Sequence, residues 1–204
     1  MEEKRSFTTI KKTMESDELE KFCKKIAEEY ANSEPNFSRR YFCKQYRISE
    51  SCYDKIKELA IVTDLVTDDI VEKMLAKSIA NQNLHSNGAG ISSIKKFAEM
   101  YKERHKHIAL SYGEDDVREI TEYFADNPNI SKQDIAKERG IPTKVLEIIL
   151  ARAIEENIVD DSIVERIEER SLRNTHPSNN QRIMTYFEGL KKKREAFKCD
   201  TSFE

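Results

Sequence analysis

The chain has 204 residues, 36% of them charged and 38% hydrophobic, with five glycines, four prolines and no tryptophan, a soluble, helix-favouring composition of one larger domain or two small ones. Its formal charge of −3 supplies no overall basic field to draw in nucleic acid. No apolar run approaches the ~20 residues of a bilayer span, so no membrane partner is expected.

Residues 1–15 are expected to be flexible, frayed or weakly helical, and MEEKRSFTTIKK lacks the apolar segment of a secretory signal. Leu19, Phe22, Cys23, Ile26, Ala27 and Tyr30 then recur at helical spacing. Ser16 is the expected N-cap of that helix, with Asp17 and Glu18 in its first turn, and it ends near Asn32, ahead of Pro35. Ser38 and Ser49 cap the next two helices. Thr67 or Asp68 opens an acidic helix with Ile70, Val71, Met74, Leu75 and Ile79 on one side.

Residues 84–90, LHSNGAG, read as a linker. A long helix follows over 91–110, with Ile94, Phe97, Ala98, Tyr101 and Ile108 inward, until Ser111, Tyr112 and Gly113 break it. Val117, Ile120 and Phe124 mark a helix over 114–126, and two more helices flank a turn near Gly140. An acidic helix over 160–173, a polar linker over 174–178 and a closing helix over 180–198 complete the chain, the last carrying Ile183, Phe187, Leu190 and Phe197. No alternating strand pattern of useful length appears, so the fold class is all-α.

The chain also matches itself. A shift of 93 positions places Tyr30 on Tyr123, Pro35 on Pro128, Asn36 on Asn129, Ser38 on Ser131, Lys44 on Lys137, Ile48 on Ile141 and Ile56 on Ile149. Farther on, Ala60, Ile61, Val66, Asp68, Ile70, Val71, Glu72 and Ser78 fall on Ala153, Ile154, Val159, Asp161, Ile163, Val164, Glu165 and Ser171 without a gap. The expected organisation is a tandem duplication: a first helical unit over 16–110 and a second over 111–204, each ending in a long arm helix.

Within the second unit, residues 131–157 read SKQDIAKERGIPTKVLEIILARAIEEN. Ile135 and Ala136 would face inward from a short helix, Gly140 would take a left-handed turn, and Ile141, Leu146 and Ile149 would lock a longer helix onto the first. This stretch resembles the helix-turn-helix of bacterial and phage DNA-binding regulators over about twenty residues. Arg139 departs from the pattern, standing where the motif usually has an apolar residue. In the first unit Arg47 occupies the place of Gly140, so that turn is expected to be strained, shifted or of another type.

The resemblance implies duplex DNA as partner. The reading face of the second unit would offer Thr143 and Lys144, aided by Lys132 and Gln133, although Glu147 shares that face and repels phosphate. In the first unit the equivalent face holds Glu50, Asp54 and Glu58, and phosphate contact would fall to Arg39, Arg40 and Lys44. The arms carry a local excess of lysine and arginine, suited either to a DNA backbone or to pairing with the acidic helices. The other reading keeps the helix-turn-helix as a packing scaffold of an interaction module that binds a protein partner, including a second copy as a homodimer.

Catalysis finds no converging groups. His105 and His107 lie two apart on a helix, not at the spacing of a zinc pair, and Asp68, Asp69, Asp160 and Asp161 read as helix-opening acids. Gly88 to Gly90 is too short to cradle a phosphate. No enzyme, cofactor, metal or disulfide is expected. Three of the four cysteines fall on apolar helix positions, as in a reduced cytoplasmic protein.

Overall fold

In a computed structural model, which describes residues 4–34, 37–83 and 89–201, the chain is all-helical, with no strand among those residues. Its contacts divide it into two compact units, residues 1–107 and 108–204. The first contains α1 (Phe7–Thr13), α2 (Ser16–Asn32), α3 (Arg39–Gln45), α4 (Glu50–Val62), α5 (Asp68–Asn83) and most of α6 (Ala89–Leu110). The second contains α7 (Glu114–Asp126), α8 (Lys132–Glu138), α9 (Thr143–Glu155), α10 (Asp161–Arg173), a 3-10 turn (Pro177–Asn179) and α11 (Asn180–Thr201). The division falls in the last turn of α6 because Ala109 is buried in the second core. Arg152 also donates from Nη1 to the carbonyls of Ala109 (3.5 Å) and Tyr112 (2.7 Å). The linker expected over 84–90 lies mostly outside the described residues.

In the first unit α2 packs on α4 and α5. The core is aromatic at its centre, where Tyr30 meets Phe42 at 5.3 Å and Tyr53 at 5.0 Å between ring centroids. Off-axis ring contacts of this kind are favoured by the ring quadrupole. In the second unit α7 packs on α9 and α10, and the core is aliphatic: Val145, Leu146, Ile149, Ala153 and Ile154 are all but fully buried. Cys23, Cys43 and Cys52 are buried and Cys199 is exposed, and none of the four is in a disulfide. Burial pushes the Cys23 thiol up to about 12 and the Cys43 thiol to about 11, so neither is a ready thiolate.

Helix ends follow local chemistry. Ser38, Ser49 and Ser131 accept from the backbone N–H groups of Tyr41, Cys52 and Asp134, and Asp160 accepts from that of Ile163. Ser16 is not a cap: Glu15 holds that position without a side-chain bond, and Ser16 is the first helical residue. Both short helices, α3 and α8, stop in the same way. Arg47 (φ 52°) and Gly140 (φ 65°) turn left-handed. The N–H groups of Ile48 and Ile141 then reach back to the carbonyls of Cys43 (3.0 Å) and Ala136 (2.9 Å), a Schellman closure. Arg47 therefore adopts the same turn as the glycine rather than another type. The pattern recurs after α4 and α9, where Asp64 (φ 59°) and Asn157 (φ 55°) turn left-handed. There Leu65 and Ile158 close onto Ala60 and Ala153.

The N-terminal segment differs from expectation. Ser6 caps α1, Ile10 is fully buried, and α1 packs on α4. Arg5 pairs with the turn after α3: its N–H donates to the Arg47 carbonyl (2.9 Å) and its carbonyl accepts from Ser49 (3.3 Å). Burial of Ile10 and this backbone pairing hold a segment whose polar composition pointed to a flexible, frayed or weakly helical one.

The arms bury much of the stripe expected of them, with Phe97, Phe187 and Leu190 buried and Tyr101, Ile108 and Ile183 packed against the cores, but an arginine joins that stripe in each and Ile94 and Phe197 fall outside it. In α6, Phe97, Met100 and Arg104 are buried, while Ile94 is 47% exposed. In α11, Phe187, Leu190 and Arg194 are buried, and Phe197 is exposed. The buried arginines decide the register. Arg104 Nη2 holds Asp64 (2.5 Å) and Asp68 (3.3 Å), and Arg194 Nη2 holds Asp161 (3.0 Å) at the start of α10.

Candidate nucleic-acid interface

Arg39, Arg40 and Lys44 all lie on α3, but they do different things. Arg39 is the first residue of the helix and turns into the α3–α4 seam. Its Nη2 meets Glu50 Oε2 at 2.7 Å and its Nη1 meets Asp54 Oδ1 at 3.1 Å. The Arg39 hydrogen bond holds the Glu50 carboxyl below its ordinary value, as expected of a charge-assisted fork. Asp54 is shared with Lys57, 3.6 Å away. Lys57 lies under the Phe97 ring, and burial lowers its pKa against the pull of Asp54. The acidic face expected on α4 is thus largely neutralised from within.

Arg40 and Lys44 share another face of α3, one helical turn apart. Both are exposed, and among the described residues neither belongs to an ion pair. With Ser38 and Tyr41 they line an open depression of about 420 Å³. Tyr41 is 61% exposed, and its ring stands edge-on to Phe37 at 5.0 Å. Tyr41 was missed from sequence; the available signal was an aromatic residue set between two cations on a short polar helix.

In the second unit Lys132 and Lys144 converge on one carboxylate. Lys132 Nζ is 3.0 Å from Glu147 Oε1 and Lys144 Nζ is 2.7 Å from Oε2. Partial burial would raise the Glu147 pKa, but the hydrogen bonds from Lys144 and Lys132 outweigh it, and the net shift is downward. The same bond raises Lys144. Thr143 begins α9 half-buried, and Gln133 is exposed in the first turn of α8. Lys132 stands 93 positions after Arg39, and Glu147 stands 93 after Asp54, so one inter-helix ion pair recurs. α9 is enclosed by α7, α8 and α11, which accounts for its apolar surface on nearly every side. The arm helix reaches this face as well, with Lys193 Nζ 2.7 Å from Glu155 Oε1.

Arg139, the departure from the motif, lies across the Tyr123 ring at 4.7 Å and bonds Glu119 at 2.7 Å. It needs no apolar neighbour because it stays at the surface of α7. His176 accepts through Nδ1 from the N–H of Ser178 and opens the 3-10 turn. Among the described residues no three metal-ligating side chains come together, and no helix is long and apolar enough to cross a membrane.

Charge is unevenly divided. Residues 1–107 carry 20 Lys and Arg against 18 Asp and Glu, whereas residues 108–204 carry 15 against 20. Of the sites expected from sequence, Arg40 and Lys44 are accessible cations, and Arg39, Lys132 and Lys144 are engaged in pairs. No family model matches the chain, and no curated protein or solved structure is significantly similar to it.

Proposed function

We propose that this protein binds duplex DNA through two tandem helix-turn-helix units of common origin, as a transcriptional regulator or an accessory factor of a mobile element. The observation that carries this reading is the recurrence, 93 residues apart, of a seven-residue helix, a left-handed turn residue and a thirteen-residue helix. α3 and α8 begin and end at equivalent positions, as do α4 and α9. That arrangement lets a second helix enter the major groove while the first lies near the backbone. Arg40 and Lys44 supply phosphate contacts in the first unit. Thr143 and Lys144, aided by Lys132 and Gln133, supply base contacts in the second once Glu147 releases its lysines, and Arg39 mainly orders α3 against α4.

The test is binding to random duplex DNA across a salt series. Affinity should fall by ~0.9 log units per log unit of salt for each phosphate neutralised, and Arg40→Ala with Lys44→Ala should flatten the slope. Absence of duplex binding at low salt refutes the reading. The alternative, a helical protein-interaction module, is favoured by one feature: α11 lies along α9 and leaves Met184 and Tyr186 42% and 52% exposed.

A further inference from the structure

We infer that the α3 surface of the first unit binds an unstacked base and its flanking phosphates, so that this protein engages single-stranded or frayed nucleic acid through Tyr41, Arg40 and Lys44. This deepens the nucleic-acid reading above and rests on it.

Three observations converge on the same few residues. Arg40 and Lys44 are one helical turn apart, on the same face. They are exposed cations outside any ion pair among the described residues. Nearby Glu50 lies within electrostatic range of Arg40, but its carboxylate is occupied by Arg39 at 2.7 Å. Between the two cations Tyr41 exposes 61% of its surface, while Phe37 braces its ring at 5.0 Å. These side chains and Ser38 line one open stretch of surface.

An exposed aromatic ring braced beside two cations has a use that a duplex does not satisfy. Bases inside a duplex are stacked on one another and offer no face to a side chain. An unpaired base offers both faces, and stacking on an aromatic ring is tolerant of sequence because every base has a π-face. The equivalent positions of the second unit are Gln133, Asp134 and Lys137. There an acid replaces the tyrosine, and it is turned back onto the cap by a 2.6 Å bond from Ser131. The site therefore belongs to the first unit, the one with the excess of basic residues.

The experiment compares the full chain with Tyr41→Ala, Tyr41→Phe and Arg40→Ala/Lys44→Ala variants, each titrated with a labelled single-stranded oligonucleotide and with a blunt duplex of the same sequence. Tyr41 is exposed, so helicity measured by circular dichroism should be unchanged in its variants. Stacking does not need the hydroxyl, so Tyr41→Phe should keep single-strand affinity. Tyr41→Ala should lose about tenfold, within the range of ~1–3 kcal/mol for a stacked base. The double cation variant should lose affinity for both ligands. If Tyr41→Ala binds single strands as well as the wild type, or if Tyr41→Phe fails as badly as Tyr41→Ala, the stacking site is overturned. Wild-type binding to duplex with none to single strands overturns it while leaving the duplex reading in place. Binding to neither overturns both.

Discussion

At the scale of single residues, the left-handed turn after α3 and after α8 ends the helix and sets where the next one starts. A Cβ added at Gly140 would meet no atom within 4 Å, so the cost of a side chain there is torsional. Gly140→Val should destabilise the second unit by ~1–2 kcal/mol, the penalty of a left-handed L-residue, as read by denaturant unfolding. Arg47 already bears that penalty at φ 52°, and Arg47→Gly should raise stability by up to ~1 kcal/mol. A destabilised Arg47→Gly protein would show that the arginine side chain contributes more than the turn costs. Glu50 and Glu147 both have folded pKa values lowered below the ordinary 4.5. Their contribution is therefore complete above 4.5 and is lost as pH falls through that value toward the lowered folded ones. Glu147→Gln should make acid unfolding of the second unit less steep, and an unchanged acid limb would remove the pair from the account.

At the scale of elements, one buried cation ties the fourth main helix of each unit to the end of the first. Lys77 on α5 donates to the carbonyls of Tyr30 (2.9 Å) and Ser33 (2.8 Å). Arg170 on α10, 93 positions later, donates to those of Phe124 and Ile130 and lies 3.7 Å from the centroid of the Phe124 ring. Burial lowers the pKa of both, yet each donates to carbonyl oxygens at or beyond the end of a helix. Arg170→Met should leave those carbonyls unsatisfied, at ~1–3 kcal/mol, and should speed amide exchange over residues 127–131. Unchanged exchange there would mean that water replaces the guanidinium without loss. The N-terminal α1 has a specific seat of this kind. Ser49 N–H binds the Arg5 carbonyl, whereas the equivalent residue of the second unit is Pro142, which has no N–H to offer. Ile10→Ala should cost the first unit ~2–5 kcal/mol, and equal loss in both units would contradict a seat confined to α4.

At the scale of the whole molecule, function turns on which cations are already spent. Lys132 and Lys144 share Glu147, and Arg39 is divided between Glu50 and Asp54. Glu147→Gln should release both lysines and remove a charge that repels phosphate, so duplex affinity should rise if the second unit contacts DNA. An unchanged affinity, measured beside an Arg40→Ala/Lys44→Ala variant that loses binding, would assign the contact to the first unit alone. Both tests read the same titration, and the uneven charge of the two halves makes the second outcome a distinct one.

Much of the secondary structure was legible from one sequence because its determinants are local. Serine caps, glycine turns and apolar residues at helical spacing act over a few positions; the starts of α3 and α4, both bounds of α7 and the turn between α8 and α9 followed from them. The inward face of the arms was legible in its apolar residues but not in its arginines. The sequence left the arm cations open between a DNA backbone and the acidic helices, and tertiary packing paired Arg104 with Asp68 and Arg194 with Asp161. The candidate site was half visible for the same reason. Sequence located the basic residues of α3 and α8, but exposure and pairing depend on residues 11 to 15 positions away, such as Glu50, Asp54 and Glu147. A sequence determines where charges are; only the folded chain decides which of them have already met a partner, because ion pairing is set by distance in space.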